Sequence, residues 1–162
     1  MSGSNSSITA SAGGLIRARF GGFPQRVEPG PMFSVQATSD ASPEAVWSLL
    51  SEPKRWSSWA PHIRGAIGLG SPEVRLGRRG VALVLPGLVV PVRVSAKVDG
   101  RSWDWTTGPM RFRHAVEPRA GGCLITLEVT GPSGLEQVVA GVYGPLIRLV
   151  LRRLARVAAQ SP

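Results

Sequence analysis

The sequence predicts an α+β fold: about seven antiparallel strands, two short helices after the first strand, and one long amphipathic helix at the C-terminal end. Three observations predict it. Short runs with period-two alternation are joined by brief linkers, as hairpins are. A helix start signal, Ser42-Pro43-Glu44, follows the first of these runs. The final stretch repeats its apolar residues at helical spacing instead.

The elements follow in order. Phe33, Val35 and Ala37 alternate with Ser34, Gln36 and Thr38, the pattern of a half-buried strand. Ser42 then caps a helix, Pro43 suits its first position, and Glu44 complements the helix dipole. Ala45, Val46, Leu49 and Leu50 give that helix an apolar face, and Pro53 stops it. A second short helix carries Trp56 to Trp59 and ends at Pro61. Strands are read over residues 63–69, 79–85, 90–99, 102–107, 110–117 and 123–129. The clearest puts Val90, Val92, Val94, Ala96 and Val98 on one face and Arg93, Ser95, Lys97 and Asp99 on the other. Ser133 and Glu136 form a capping box that starts the last helix. Val139, Val142, Tyr143, Leu146, Val150 and Leu154 form its apolar face; Arg148, Arg152 and Arg156 lie four apart on the other side.

The chain has 162 residues, so one domain is expected, and 43% hydrophobic residues against 18% charged exclude a disordered composition. Residues 1–31 read as a disordered tail rich in Gly, Ser and Pro, and residues 32–158 as the folded domain. The tail lacks the charged and apolar regions of a secretory signal. Its Ser/Arg-rich, acid-poor character superficially resembles a transit peptide; the blander reading is a tail upstream of a true start at Met32. The single cysteine, Cys123, excludes an internal disulfide and fits a reducing compartment, so a cytoplasmic location is expected. No run approaches the ~20 apolar residues of a membrane span. The net charge is +9, and 17 of the 19 basic residues are arginine because only Lys54 and Lys97 are lysine. A nucleic-acid binder clusters such charge, whereas much of it here is scattered, so no nucleic-acid partner is expected.

The run Ser42-Pro43-Glu44-Ala45-Val46-Trp47-Ser48-Leu49-Leu50-Ser51-Glu52-Pro53-Lys54-Arg55-Trp56-Ser57-Ser58-Trp59 resembles the opening of SRPBCC proteins, the START-like and polyketide cyclase/dehydrase superfamily. Val129-Thr130-Gly131-Pro132 and the long last helix match as well, so the resemblance covers roughly residues 32–158. It implies a helix-grip fold, in which a curved sheet wraps the long helix around a deep apolar cavity. Members bind lipids, sterols, polyketides or plant hormones; some are cyclases or aromatases, and others are co-chaperones or toxins. The matching residues are structural, so the resemblance leaves function open.

In such a fold the expected cavity wall is Trp59, Val92, Val94, Trp103, Trp105, Phe112, His114, Ile125, Leu127, Val139, Tyr143 and Leu146. His114 shares a face with Met110, Phe112 and Val116, while Arg111, Arg113 and Glu117 face water. It is the one candidate catalytic residue, a proton donor or acceptor aimed at a ligand. No acid shares its face, which favours a core or rim histidine. Trp103 and Trp105 either stack on a flat ligand or fill volume, and Asp104 between them is expected to be solvated. Trp56 and Trp59 read as core or lid, and Tyr143 offers a hydroxyl. Cys123 reads as an inert buried thiol. His62 and His114 are the only histidines, and no Cys cluster or His-x-His pattern accompanies them, so neither a metal nor a cofactor is expected.

Three functions compete. The first is a binding or carrier protein for a small hydrophobic molecule, lipid or polyketide-like. The second is a cyclase, aromatase or dehydratase using the same cavity. The third is a membrane- or partner-interaction module using the apolar turn Leu85-Pro86-Gly87-Leu88-Val89-Val90-Pro91 and the arginine stripe. Against the third, such a turn is expected to tuck against the second short helix, and such a stripe to be a solvated helix face. Oligomeric state is left open.

Overall fold

The computed structural model describes residues 33–135 and 138–160. Strand β1 (Phe33–Ser39) is followed by helix α1 (Pro43–Ser51), a 3-10 turn (Pro53–Arg55) and the single-turn helix α2 (Trp56–Trp59). Six strands follow: β2 (Ile63–Ile67), β3 (Arg79–Val84), β4 (Leu88–Val98), β5 (Ser102–Thr107), β6 (Met110–Arg119) and β7 (Gly122–Thr130). A π-helical turn (Val139–Tyr143) leads into the last helix, α3 (Gly144–Ala159). The tail read over residues 1–31 lies outside the described residues.

The seven strands form one antiparallel sheet in the order β1-β7-β6-β5-β4-β3-β2. β1 crosses over to pair with β7, Phe33 opposite Val129 and Ser39 opposite Cys123, while every other pairing is between sequence neighbours. Register shifts interrupt the β4–β5 ladder between Val94 and Ala96 and the β2–β3 ladder between Ile63 and Gly65. Such irregularities bend a strand, which suits a sheet that must curve around a helix.

The tryptophan pattern of the α1–α2 segment has a hydrogen-bonding reason. A helix leaves its last carbonyls without intrahelical partners. Here Trp56 Nε1 donates to the Leu50 carbonyl and Trp59 Nε1 to the Leu49 carbonyl, both at 2.9 Å. The two indoles thus finish α1 while their rings enter the core. At the other end, Ser42 Oγ accepts from the Ala45 amide at 3.2 Å, as expected of the cap.

Two expectations are corrected. The last helix does not run on from Ser133, which lies in a turn; Glu136, the other half of the expected box, lies outside the described residues. Pro145 has no N–H to bond the carbonyl four residues back, and Gly141 and Gly144 weaken helical order, so a π turn precedes a 16-residue α3. Gly144 also serves packing: a Cβ there would lie 3.3 Å from the Phe33 ring, so glycine lets the helix start close against β1.

Asp104 is not solvated; it is 2% exposed. Arg111, on the neighbouring strand β6, folds over it, its Nε 2.7 Å from Oδ2. Replacing Arg111 with alanine strands a buried carboxylate. Unfolding free energy is expected to fall by about 2 kcal/mol, below the loss for a fully buried pair because Arg111 itself is partly exposed. Urea denaturation of Arg111→Ala against wild type measures it.

Candidate functional site

Between the inner face of the sheet and α3 lies a recess of about 210 Å³. Val92 of β4, Trp105 of β5, Phe112 and His114 of β6 and Leu127 of β7 supply its sheet side. Trp59 comes from α2, Tyr143 from the π turn and Leu146 from α3. Each of these eight was expected in the wall. Three others were expected there and fill the core instead: Val94, Trp103 and Ile125 are buried but do not border the space. The side chain of Val139 lies outside the described residues. Leu88 and Tyr143 border the recess and are exposed, so it reaches the surface between the β3–β4 turn and the start of α3.

Trp103 backs the wall. Its indole lies between two flat partners, Trp56 at 5.7 Å and 2° and His114 at 4.2 Å and 7°. Trp105 stands edge-on to all three, with centroids 5.5 to 5.8 Å away and planes 81° to 82° apart. Offset stacks and edge contacts of this kind fix ring orientation. The aromatic block is rigid by construction, and it presents His114 and the Trp105 ring to the recess.

Among the described residues, the wall carries no Asp, Glu, Lys or Arg. Its polarity comes from His62, Trp105, Thr107, His114 and Tyr143. Three buried nitrogens among these have no hydrogen-bond partner: His62 Nδ1, Trp105 Nε1 and His114 Nδ1. Buried polar atoms are seldom left unpaired, because each costs about 1–3 kcal/mol. Trp103 Nε1 and Ser51 Oγ are also unpaired, but they lie away from the space.

His62 was missed in the sequence. It sits between β2 and the Pro61 turn that follows α2, outside any periodic run, and no pattern signals which way its ring points. Ala82 and Val84 of β3 and Ile147, Val150 and Leu151 of α3 also line the recess.

Burial lowers the pKa of both histidines; a hydrogen bond with the Trp103 backbone acts the other way on His114, which is held at about 4. Both rings are therefore neutral near pH 7. A group with a lowered folded pKa binds its proton more readily when unfolded, so it stabilises the fold above the unfolded value and the contribution fades as pH falls. For His114 that window runs from 6.5 down to about 4, and a shift of this size corresponds to up to about 3 kcal/mol. Denaturant midpoints should therefore drop between pH 7 and pH 4.5, and His114→Phe, which keeps a stacking ring, should flatten part of that drop.

The curved sheet, the two short helices and the gripped C-terminal helix define a helix-grip protein of the SRPBCC superfamily. Within it, the chain belongs to the polyketide cyclase/dehydrase and lipid-transport family, whose model matches residues 31–159. Comparison with curated proteins gives no match. Among solved structures, the fold is similar to protein MLL2253 from Mesorhizobium loti, with a TM-score of 0.68, 15% identity, and coverage of 80% of this chain and 98% of that one. It is also similar to NE0264 from Nitrosomonas europaea, with a TM-score of 0.64, 16% identity, and coverage of 79% and 94%. DynU16, a protein of the dynemicin biosynthetic locus, gives a TM-score of 0.60 at 19% identity over 76% of this chain and 45% of its own. At these identities the likeness concerns the fold.

Proposed function

We propose that the protein binds a small, uncharged, partly oxygenated hydrophobic molecule in the recess between the sheet and α3. One observation carries this reading: among the described residues the wall is apolar and holds no charged side chain, while three of the rings lining it, those of His62, Trp105 and His114, each keep a buried nitrogen without a partner. The wall rewards burial of apolar surface, and a small turn of one of these rings would offer its nitrogen to an oxygen atom of the ligand. Size narrows the class. An apolar cavity of about 150 Å³ accepts benzene. A recess of about 210 Å³ suits one or two fused rings better than a long acyl chain.

A cyclase or dehydratase using the same recess is the second reading, favoured by the family and by the two histidines facing the space. Acid–base catalysis works best with a pKa near the working pH. A histidine held at about 4 is a poor base at neutrality and fits better as a hydrogen-bonding partner. Native mass spectrometry of protein purified from its own host tests the binding reading. The expected result is a retained adduct with the mass of a small neutral molecule; repeated recovery of bare protein would count against it.

A further inference from the structure

Strand β1 ends the sheet: it pairs with β7 on one side, and no described strand lies on the other. In an antiparallel pair only alternate residues turn their backbone groups to the neighbour, so the others point out of the sheet. Among the described residues no further backbone bond engages β1. Two hollows lie along this edge, of about 230 Å³ and 710 Å³. Ser34, Val35 and Gln36 line the first, and Gln36, Ala37 and Thr38 the second. Consecutive residues of a strand point to opposite faces, so a hollow that touches three in a row follows the strand's edge. An uncovered edge is a template for another strand.

The far wall of both hollows is the arginine row of α3. Arg148 and Arg152 line the first, Arg152 and Arg156 the second. The helix runs along β1 in the same direction: a Cβ on Gly144 would touch the Phe33 ring, and Ser39 Oγ donates to the Ala155 carbonyl at 3.1 Å. The row is exposed, as expected, but it also lies beside the open strand edge. Among the described residues none of the three arginines has an acidic partner, and no Asp or Glu lines either hollow. Glu128, opposite Ser34 in register, faces Arg113 at 4.0 Å. Leu88 of the apolar turn borders the recess and neither hollow, so the turn and the row do not share a surface.

We propose that an acidic, extended segment of a partner protein adds to the sheet as a strand along β1, with alternate carboxylates on the arginine row. The spacing supports this occupant. Residues four apart on a helix are separated by about 6 Å, and alternate residues of a strand by about 6.8 Å. Acidic side chains at every second position therefore meet Arg148, Arg152 and Arg156 in turn. The intervening side chains share the outer face with Ser34, Gln36 and Thr38, which are exposed. Backbone bonds to β1 supply affinity, and guanidinium–carboxylate pairs fix the register. Charge argues against the other occupants. A second copy, pairing β1 with β1, would bring two arginine rows together in a chain of net charge +9. Residues 1–31 contain Arg17, Arg19 and Arg26 against Glu28 alone, so their charge does not complement the row. A nucleic acid would use the arginines but leave the strand's backbone unmatched, and among the described residues no aromatic ring lines either hollow to stack a base.

Fluorescence anisotropy with labelled peptides and the full chain tests it. The probe peptide alternates three glutamates with valine and threonine. One control places the same glutamates side by side, and a second methylates the backbone amides of the alternating peptide. Wild type is compared with a triple variant, Arg148→Gln with Arg152→Gln and Arg156→Gln; all three positions are exposed, and circular dichroism confirms that the variant folds. Wild type should bind the alternating peptide at low ionic strength and release it at high salt. The triple variant should bind it about 30-fold more weakly. Both control peptides should bind wild type about tenfold more weakly than the probe, the first through lost register and the second through lost backbone bonds. Four results overturn the proposal: no binding of the alternating peptide, unchanged binding by the triple variant, a control peptide that binds as tightly, or a single-stranded oligonucleotide of equal charge that binds more tightly. None of the three arginines lines the recess, so 2-naphthol binding by the triple variant reports separately on the function proposed above.

Discussion

Replacing Trp103 with alanine lowers the unfolding free energy by about 4 kcal/mol, enough to leave little folded protein if the domain has ordinary stability. Trp103 is among the largest fully buried side chains and lies between Trp56 and His114. Truncation removes the transfer energy of the indole, opens a cavity in the middle of the core, and breaks two stacking contacts at once. Trp105 provides the comparison. It is only partly buried and already borders empty space, so Trp105→Ala enlarges an existing recess and should cost about 2 kcal/mol. Guanidinium denaturation of both variants gives the ranking. If Trp103→Ala lost less than Trp105→Ala, the aromatic block would not be the structural backing of the site.

The second large effect concerns charge. The fluorescent probes 2-naphthol and 2-naphthoate are similar in size and share an aromatic core, but at pH 7 only the second is ionised. A carboxylate taken into the recess meets no Lys or Arg among the described residues, and neutral imidazoles and an indole N–H compensate it poorly. An uncompensated buried ion costs several kcal/mol, so naphthol should bind at least about 100-fold more tightly than naphthoate. At pH 4 the naphthoate carboxyl is partly protonated and the gap should narrow. Equal affinity at pH 7 would mean that the bound group stays in water, outside the recess.

Much of this architecture was legible because alternation is a strict geometric constraint. Along β6 it assigned Phe112 and His114 to the inside and Arg111 and Arg113 to the outside, and the structure agrees. Alternation gives a face, however, and not a position along it. Val94, Trp103 and Ile125 are on the inner face as read, yet they lie where core packs solidly, away from the opening. The same limit explains Asp104: its strand lies in the interior of the sheet, where a long arginine from the neighbouring strand covers an outward-facing carboxylate. His62 left no signal because a turn residue has no periodicity to read. The start of α3 was misread because apolar spacing continues through Gly141, Gly144 and Pro145, where backbone chemistry interrupts the regular helix.

The recess itself is tested most directly by filling it. Ala82 is buried on β3 with its side chain on the recess wall, and phenylalanine there would occupy the space offered to a ligand. Calorimetric titration of 2-naphthol into wild type and into Ala82→Phe measures the difference. The expected result is binding by the wild type and a loss of about 100-fold or more in a variant that still unfolds cooperatively. Undiminished binding by folded Ala82→Phe would contradict the placement of the ligand between sheet and helix.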